Sequence, residues 1–371
     1  DFWNIAGRAG RAFVDQEGKI LVALDTSKRG TRKERNKIQY NQNEILKYFQ
    51  KSNIQNAESG LMWLIKFLKH TAARFEGIGF DKLLELISEN NFEELEDKDY
   101  FIERLDLIDD TLLSLHQLAN DNDSLLDVSW VEDFFRKSLA YIQIQNDDDF
   151  IKKEDVVSFL KARVKGIIKS VGEDKSKWNA HIKSGIPLQS DLLLEENIDS
   201  IIGLLEDYFL LGEVNIQQKI NLLTEIENLI NHIPVLSDTA LENERLHEIR
   251  TLWLMGESMT RIKKIENAQN IIGEHYMFKL PWVLNGIAKK LANLDLDVYS
   301  ELLQELSILS ETGLPNLVAV KIYQAGIRSR ESAIEMSSAF REDSWDKGIK
   351  FYKNKIIENA DLYKILFSES T

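Results

Sequence analysis

The sequence contains no cysteine. That removes disulfides, zinc ribbons, iron–sulfur clusters and thiol nucleophiles together, and it suits a reducing cytoplasm. Proline is nearly as scarce: 4 occur in 371 residues, at Pro187, Pro234, Pro281 and Pro315. Nothing before Pro187 carries that break signal, so long helices are permitted there. Glycine numbers 18, few for a chain of hairpins and tight turns. Leu, Ile, Glu, Lys and Asn dominate instead, which favours helix. Long apolar runs are missing too; Leu61–Leu68 is among the longest, holds Lys66 and falls far short of a membrane span. No signal peptide opens the chain, and its start at Asp1-Phe2-Trp3 reads as that of a piece of a longer protein.

Positive charge is in short supply overall. The net charge of -15 argues against a uniformly basic nucleic-acid binder. Residues 1–40 are the exception, with nine Lys/Arg against five Asp/Glu. A basic patch on an acidic body fits a protein that touches phosphate in selected places, and fits a generic acidic helical protein equally.

The opening segment has its own texture. Gly7, Gly10 and Gly18 lie close together, and Asp15-Gln16-Glu17-Gly18 feeds the apolar run Lys19–Leu24, which reads as a turn into a buried strand. A basic loop follows, with Lys28, Arg29, Arg32, Lys33, Arg35 and Lys37. From Asn41 the pattern turns helical. Leu61, Trp63, Leu64, Phe67 and Leu68 form one stripe, and Asp81 stands as an N-cap before Leu83, Leu84 and Leu86. The acidic stretch Glu93–Asp99 reads as a solvated connection. Helices around Ile108–Leu113 and Trp130–Ile144 suit a winged-helix-like module. Asp147-Asp148-Asp149 lacks the spacing of a calcium loop and reads as a linker. Ile216, Ile220, Leu223, Ile226 and Ile230 fall at helical spacing up to Pro234, with further helices expected over 241–272, 275–294 and Val298–Leu309. The fold class is therefore mainly α, with an α/β end at the start of the chain.

Catalytic constellations are sparse. The 6 histidines are scattered without metal-ligand spacing, so no metal site is expected. His70 and His232 sit near the ends of apolar stripes, where a core or capping role is expected. The acidic pairs Asp109-Asp110 and Glu195-Glu196 read as solvated faces. Neither a Gly-x-x-x-x-Gly-Lys-[Ser/Thr] loop nor an Asp-Glu-x-[His/Asp] box occurs, so these residues alone are not expected to hydrolyse ATP.

One stretch is specific. Asn4-Ile5-Ala6-Gly7-Arg8-Ala9-Gly10-Arg11 resembles the last signature of superfamily 2 helicases, usually Gln-x-x-Gly-Arg-x-Gly-Arg, with Asn4 replacing the glutamine. The resemblance implies that Arg11 is the arginine finger, its fork spreading charge over phosphate oxygens, and that Arg8 is its phosphate or lobe-interface partner. Asn4, Gly7 and Gly10 would line the interface, the glycines permitting close approach. It also implies ATP and Mg2+, bound mainly by a lobe this sequence lacks.

Later segments resemble the helical domains of ratchet-type members of that superfamily. Ser184-Gly185-Ile186-Pro187-Leu188 is similar to their Gly-[Leu/Ile]-Pro-Leu connection, and Leu252–Ser258 to the aromatic helix before the ratchet helix. His275–Leu294 then takes the ratchet position. Trp282, Lys279 and Asn285 are the candidate strand-contacting residues, since an aromatic platform beside a cation suits unstacked bases. Trp282 as a core residue stands open beside that reading; Trp253 reads as core. Gly313-Leu314-Pro315 leads through Leu317–Gln324 to Arg328 and Arg330, a segment resembling a helix–hairpin–helix. Lys321, Arg328 and Arg330 are its candidate phosphate contacts.

The resemblance implies four regions: residues 1–40 ending a second RecA-like lobe, 41–150 a helical, winged-helix-like connector, 151–305 a ratchet-like bundle, and 306–371 a helix–hairpin–helix-like region. Composition and layout resemble the helicase subunit of Hachiman-type anti-phage defence systems. That implies nucleic acid as partner, DNA in preference to RNA, and a nuclease or other defence component beside it. The competing reading is an acidic helical interaction scaffold without motor activity.

Overall fold

The computed structural model describes residues 59–120, 126–147, 151–211, 215–237, 243–327, 329–340 and 345–358. The chain divides into Asp1–Glu58 and Ser59–Thr371. Among the described residues every regular element is a helix, and none is long and apolar enough to cross a membrane. The mainly α class expected from composition holds there. The strand expected at Lys19–Leu24 and the lobe it would finish lie outside the described residues.

The first core is built by α1 (Gly60–Phe75), α2 (Phe80–Glu89), α3 (Lys98–Ala119), α4 (Trp130–Arg136), α5 (Leu139–Asp147), α6 (Lys153–Val171) and α7 (Lys175–Ser184). Leu68, Leu83, Ile87, Phe101, Leu105, Phe159, Val164 and Trp178 fill it. Burial of each such side chain stabilises by roughly 1.5–3 kcal/mol. Gly79 rather than Asp81 occupies the N-cap of α2; Asp81 sits in the first turn, where its charge still favours the helix dipole. The acidic connection before α3 is solvated on Glu93, Glu94 and Glu96, but Phe92 and Leu95 anchor it in the core. Helices α4 and α5 form where expected, and no wing strand accompanies them among the described residues.

The second core follows the Gly185–Pro187 connection, with Ile186 belonging to it and Leu188 to the first. Residues 153–184 thus pack with the first core, whereas the resemblance places 151–305 together in one bundle. The second core is formed by α8 (Leu188–Glu195), α9 (Ile198–Phe209), α10 (Ile216–Ile230), α11 (Asn243–Leu254), a continuous helical run over 268–293, and α13 (Asp297–Thr312). The Ile216–Ile230 stripe is met in full, and Asn215 caps it by accepting from the Gln218 N–H. The helix expected over 241–272 breaks after Leu254, at Gly256, whose φ is 77°. Finally α14 (Leu317–Gln324), α15 (Arg330–Ser337) and α16 (Ile349–Glu358) close around Ile322, Met336 and Tyr352.

Candidate nucleic-acid interface

The run over 268–293 begins with one α-turn (Ala268–Ile271), passes through a π-helical segment (Ile272–Lys279), and ends as α12 (Leu280–Asn293). Pro281 accounts for its irregularity. Leu280 donates to the His275 carbonyl, a bond five residues back. The next bond in that series would join residue 281 to Tyr276, and proline has no N–H. The orphaned Tyr276 carbonyl instead accepts from the Ser310 hydroxyl at 2.8 Å. One turn along, Ser307 Oγ donates to the Pro281 carbonyl at 3.0 Å and accepts from Asn285 Nδ2 at 2.8 Å. Serines of α13 therefore hold the helix where its own ladder fails.

The inner face is pinned by two buried ionic networks. His275 Nε2 lies 2.7 Å from Glu227 Oε1 on α10, and Glu227 also pairs with Arg250 on α11. Arg250 reaches Thr224 Oγ1 at 2.7 Å. Near the other end, Lys290 Nζ lies 2.9 Å from Asp191 Oδ2 and 3.1 Å from Glu195 Oε1, while His181 Nδ1 lies 2.5 Å from the same Asp191 oxygen. Buried charges of this kind persist only when paired and hydrogen-bonded. Glu195 belongs to an internal network, which corrects its reading as a solvated face. His70 and His232 are exposed, which leaves out the core half of the role expected of them, whereas His116, His181 and His275 are buried.

The outer face differs in kind. Phe278, Trp282, Asn285 and Lys289 follow one another at spacings of four, three and four, and all four are exposed. Phe278 is 74% exposed and Trp282 39%. Trp282 is thus neither in the core nor loose: its indole Nε1 donates to the Gly185 carbonyl at 3.0 Å, fixing the ring. Gly286, on the adjoining face, lets this approach happen, since a Cβ there would stand 2.3 Å from Ile186 Cδ1 and 3.3 Å from the Ser184 carbonyl. Asn285 uses one amide group on Ser307, and Lys279 lies half-buried on the flank. Glu274, one turn before Phe278, is the acid on this stripe. Aromatic rings, an amide and a cation on a rigid solvent-facing helix can stack bases and contact phosphate.

The hairpin residues divide. Lys321 lies half-buried on α14, and Arg328 is outside the described residues. Arg330, expected to contact phosphate, turns inward. Its guanidinium stacks on Trp253 with 4.1 Å between Cζ and the ring centroid, donates to the Gly313 carbonyl at 3.2 Å, and donates to the Glu257 carbonyl. Burial lowers its pKa. Trp253 is core as expected, its indole donating to the Ser310 carbonyl at 2.7 Å. Gly313 suits this stack, since with φ at 63° a Cβ would stand 2.4 Å from the Trp253 ring.

Asn4, Gly7, Arg8, Gly10 and Arg11 lie outside the described residues. Among the described residues no group of three or more His, Asp or Glu could hold a metal ion.

Missed by sequence reasoning is a third buried network. Arg163 on α6 donates through Nε to Asp109 Oδ1 at 2.6 Å, through Nη2 to Asp109 Oδ2, and through Nη1 to Asn90 Oδ1 at 2.6 Å. Asp109 is fully buried, which corrects its reading as a solvated acid. Burial, with the charge of Asp109, pushes Asp106 up to about 7. Asp110, at the rim, is pushed up to about 6 by desolvation first and by Asp109 and Asp191 next. Adjacent acids give no sequence signal for this, because the cation sits 54 residues away.

The structure thus defines an α-helical bundle organised on one π-containing helix with an aromatic and polar outer face. No protein-family model matches the chain. It is similar to the Hachiman protein HamB of Bacillus cereus, 36% identical over 385 aligned positions that take in 99% of this chain and 33% of the relative. The chain spans about a third of that relative's length.

Proposed function

We propose that this chain is part of an ATP-driven helicase of a Hachiman-type anti-phage defence system, and that its bundle grips a single strand. The observation that carries the defence role is the identity with a Hachiman protein through 99% of the chain. The motor reading is supported by Asn4–Arg11, in which Arg11 is the arginine finger, Arg8 its phosphate partner, and Asn4, Gly7 and Gly10 the interface. ATP and Mg2+ are held mainly by a lobe bearing the Walker lysine, and hydrolysis there supplies the energy for closure on the strand. The exposed face of Phe278, Trp282, Asn285 and Lys289 supports the gripping role, with Lys279 on its flank, and in the same reading Lys321 and Arg328 contact phosphate. The strand is DNA, and a nuclease or other defence component acts beside the motor. Residues 1–40 finish the second lobe, and the helical regions after them carry the strand.

The test is nucleic-acid-stimulated ATP turnover by the intact protein. Arg11→Ala is expected to abolish stimulated turnover and to leave nucleotide binding within a few-fold, since removal of such a finger costs about 10³–10⁵ in rate. Unchanged turnover would remove Arg11 from the mechanism.

A further inference from the structure

Helix α1 is a basic helix in an acidic protein, as α7 also is. Over Gly60–Phe75 it carries Lys66, Lys69, His70 and Arg74 and no acidic residue, in a chain of net charge -15. Its inner face is ordinary, with Met62, Leu64, Ile65 and Leu68 buried. Its outer stripe is not. Trp63, Phe67, His70 and Arg74 succeed one another at spacings of four, three and four, about 16 Å along the axis at 1.5 Å per residue. Trp63 is 43% exposed and stacks on Phe67, with centroids 5.2 Å apart and planes 14° from parallel. Tyr100 of α3 meets the Phe67 edge at 5.4 Å. Arg104 of α3 lies 5.1 Å from the Tyr100 centroid and 6.0 Å from that of Trp63. At the far end Arg74 and the exposed Phe75 ring lie together, 5.4 Å apart.

The charges around this stripe are accounted for. Lys69 pairs with Asp155 at 3.1 Å. Glu76 caps α1 and accepts from the backbone of Glu96 and Asp97. Asp99 and Glu103 of α3 are the acids nearest Tyr100 and Arg104 in sequence, and both are exposed. A backed aromatic ring at one end, an arginine at the other and no acid on the helix complement a polyanion with stackable faces. The stacked rings at one end and the arginines beside them match the alternation of base and phosphate along a strand.

We propose that the outer stripe of α1, with Arg104, is a second single-strand-binding surface, separate from the α12 face. A base stacks on the open face of Trp63, and phosphates meet Arg74 and Arg104. The proposal rests on the nucleic-acid reading above and assigns it a site which that reading does not use.

The experiment titrates the intact protein with a fluorescein-labelled oligo(dT) of roughly 20 nucleotides, followed by anisotropy across roughly 50 to 200 mM salt. Trp63→Ala is expected to weaken binding about tenfold, as loss of a base stack does. Arg74→Glu is expected to weaken it and to reduce the salt slope by about one. Trp63→Phe, which keeps a ring, holds the affinity within about threefold. Urea midpoints establish that each variant folds. Trp282→Ala separates the two sites. If Trp282→Ala weakens binding and folded Trp63→Ala and Arg74→Glu do not, the α1 proposal is overturned and the motor reading stands. If the α1 variants alone weaken it, the proposal holds and the α12 face loses its role. If the parent does not bind oligo(dT), both fall. If the α1 variants lose a protein partner and keep the strand, the surface is a protein-docking face and the proposal is wrong.

Discussion

Arg163 and Asp109 form a fork-to-fork pair inside the first core, with Asn90 taking the remaining guanidinium edge. A buried carboxyl and guanidinium are tolerated only when paired in this way, and removing one partner costs about 3–5 kcal/mol. Arg163→Ala is therefore expected to lower stability by that order, read from a urea midpoint, while Arg163→Met with Asp109→Leu recovers most of it. Beside them Asp106, raised to about 7, gives a pH dependence of definite sign. Its folded pKa lies above its unfolded value, so its contribution is full below about 4 and is lost as pH rises through about 7. Between pH 6 and 8 the protein should lose about 1 kcal/mol on this account, and Asp106→Asn should flatten that slope when unfolding is followed at both pH values. Arg330 makes the same point about charge. Its sequence position among basic hairpin residues pointed to phosphate, yet its partners are two carbonyls and an indole. Arg330→Ala should lower stability by about 2 kcal/mol and leave the salt slope of strand binding unchanged. Sequence shows which residues are charged; whether a charge faces water depends on partners dozens of residues away.

Among the elements, α10 was legible in its extent, because its apolar stripe from Ile216 runs up to Pro234, while its Asn215 cap came only with the structure. The run over 268–293 was legible only in part. The helix expected over 275–294 forms through Pro281, but its earlier start at Ala268 and its π-helical segment, where Ser310 takes the carbonyl that proline leaves unpaired, were not expected. That hydroxyl comes from another helix and leaves no local trace. A double-mutant cycle checks this division of labour. Ser310→Ala should cost about 1–3 kcal/mol, the penalty of an unpaired buried acceptor. In a Pro281→Ala background, where residue 281 again has an N–H, the same substitution should cost much less. Equal costs in both backgrounds would mean that proline and serine act independently. Gly286 is a second hidden constraint, visible only when α12 is seen pressed against the Gly185–Pro187 connection.

Across the molecule, the described residues form two large helical cores and a small third one, joined where the Gly185–Pro187 connection meets α12. That junction holds Trp282 by its indole N–H, leaving the ring edge-bound on one side and open to solvent on the other. The sequence marked Trp282 as either platform or core, and its structure resolves the choice into a fixed, partly exposed ring. The motif at Asn4–Arg11 is readable only as sequence, so the proposed motor rests on resemblance, while the proposed grip draws on the exposed face of α12. Both meet in one measurement on the intact protein: strand unwinding and strand-stimulated ATP turnover, followed side by side for Trp282→Ala and Trp282→Phe. If the α12 face grips the strand, Trp282→Ala lowers unwinding about tenfold with ATP turnover nearly kept, and Trp282→Phe, which retains a ring but loses the bond to Gly185, falls between it and the parent. Equal loss of unwinding and turnover in Trp282→Ala, or no loss of either, would contradict a strand-gripping role for this helix.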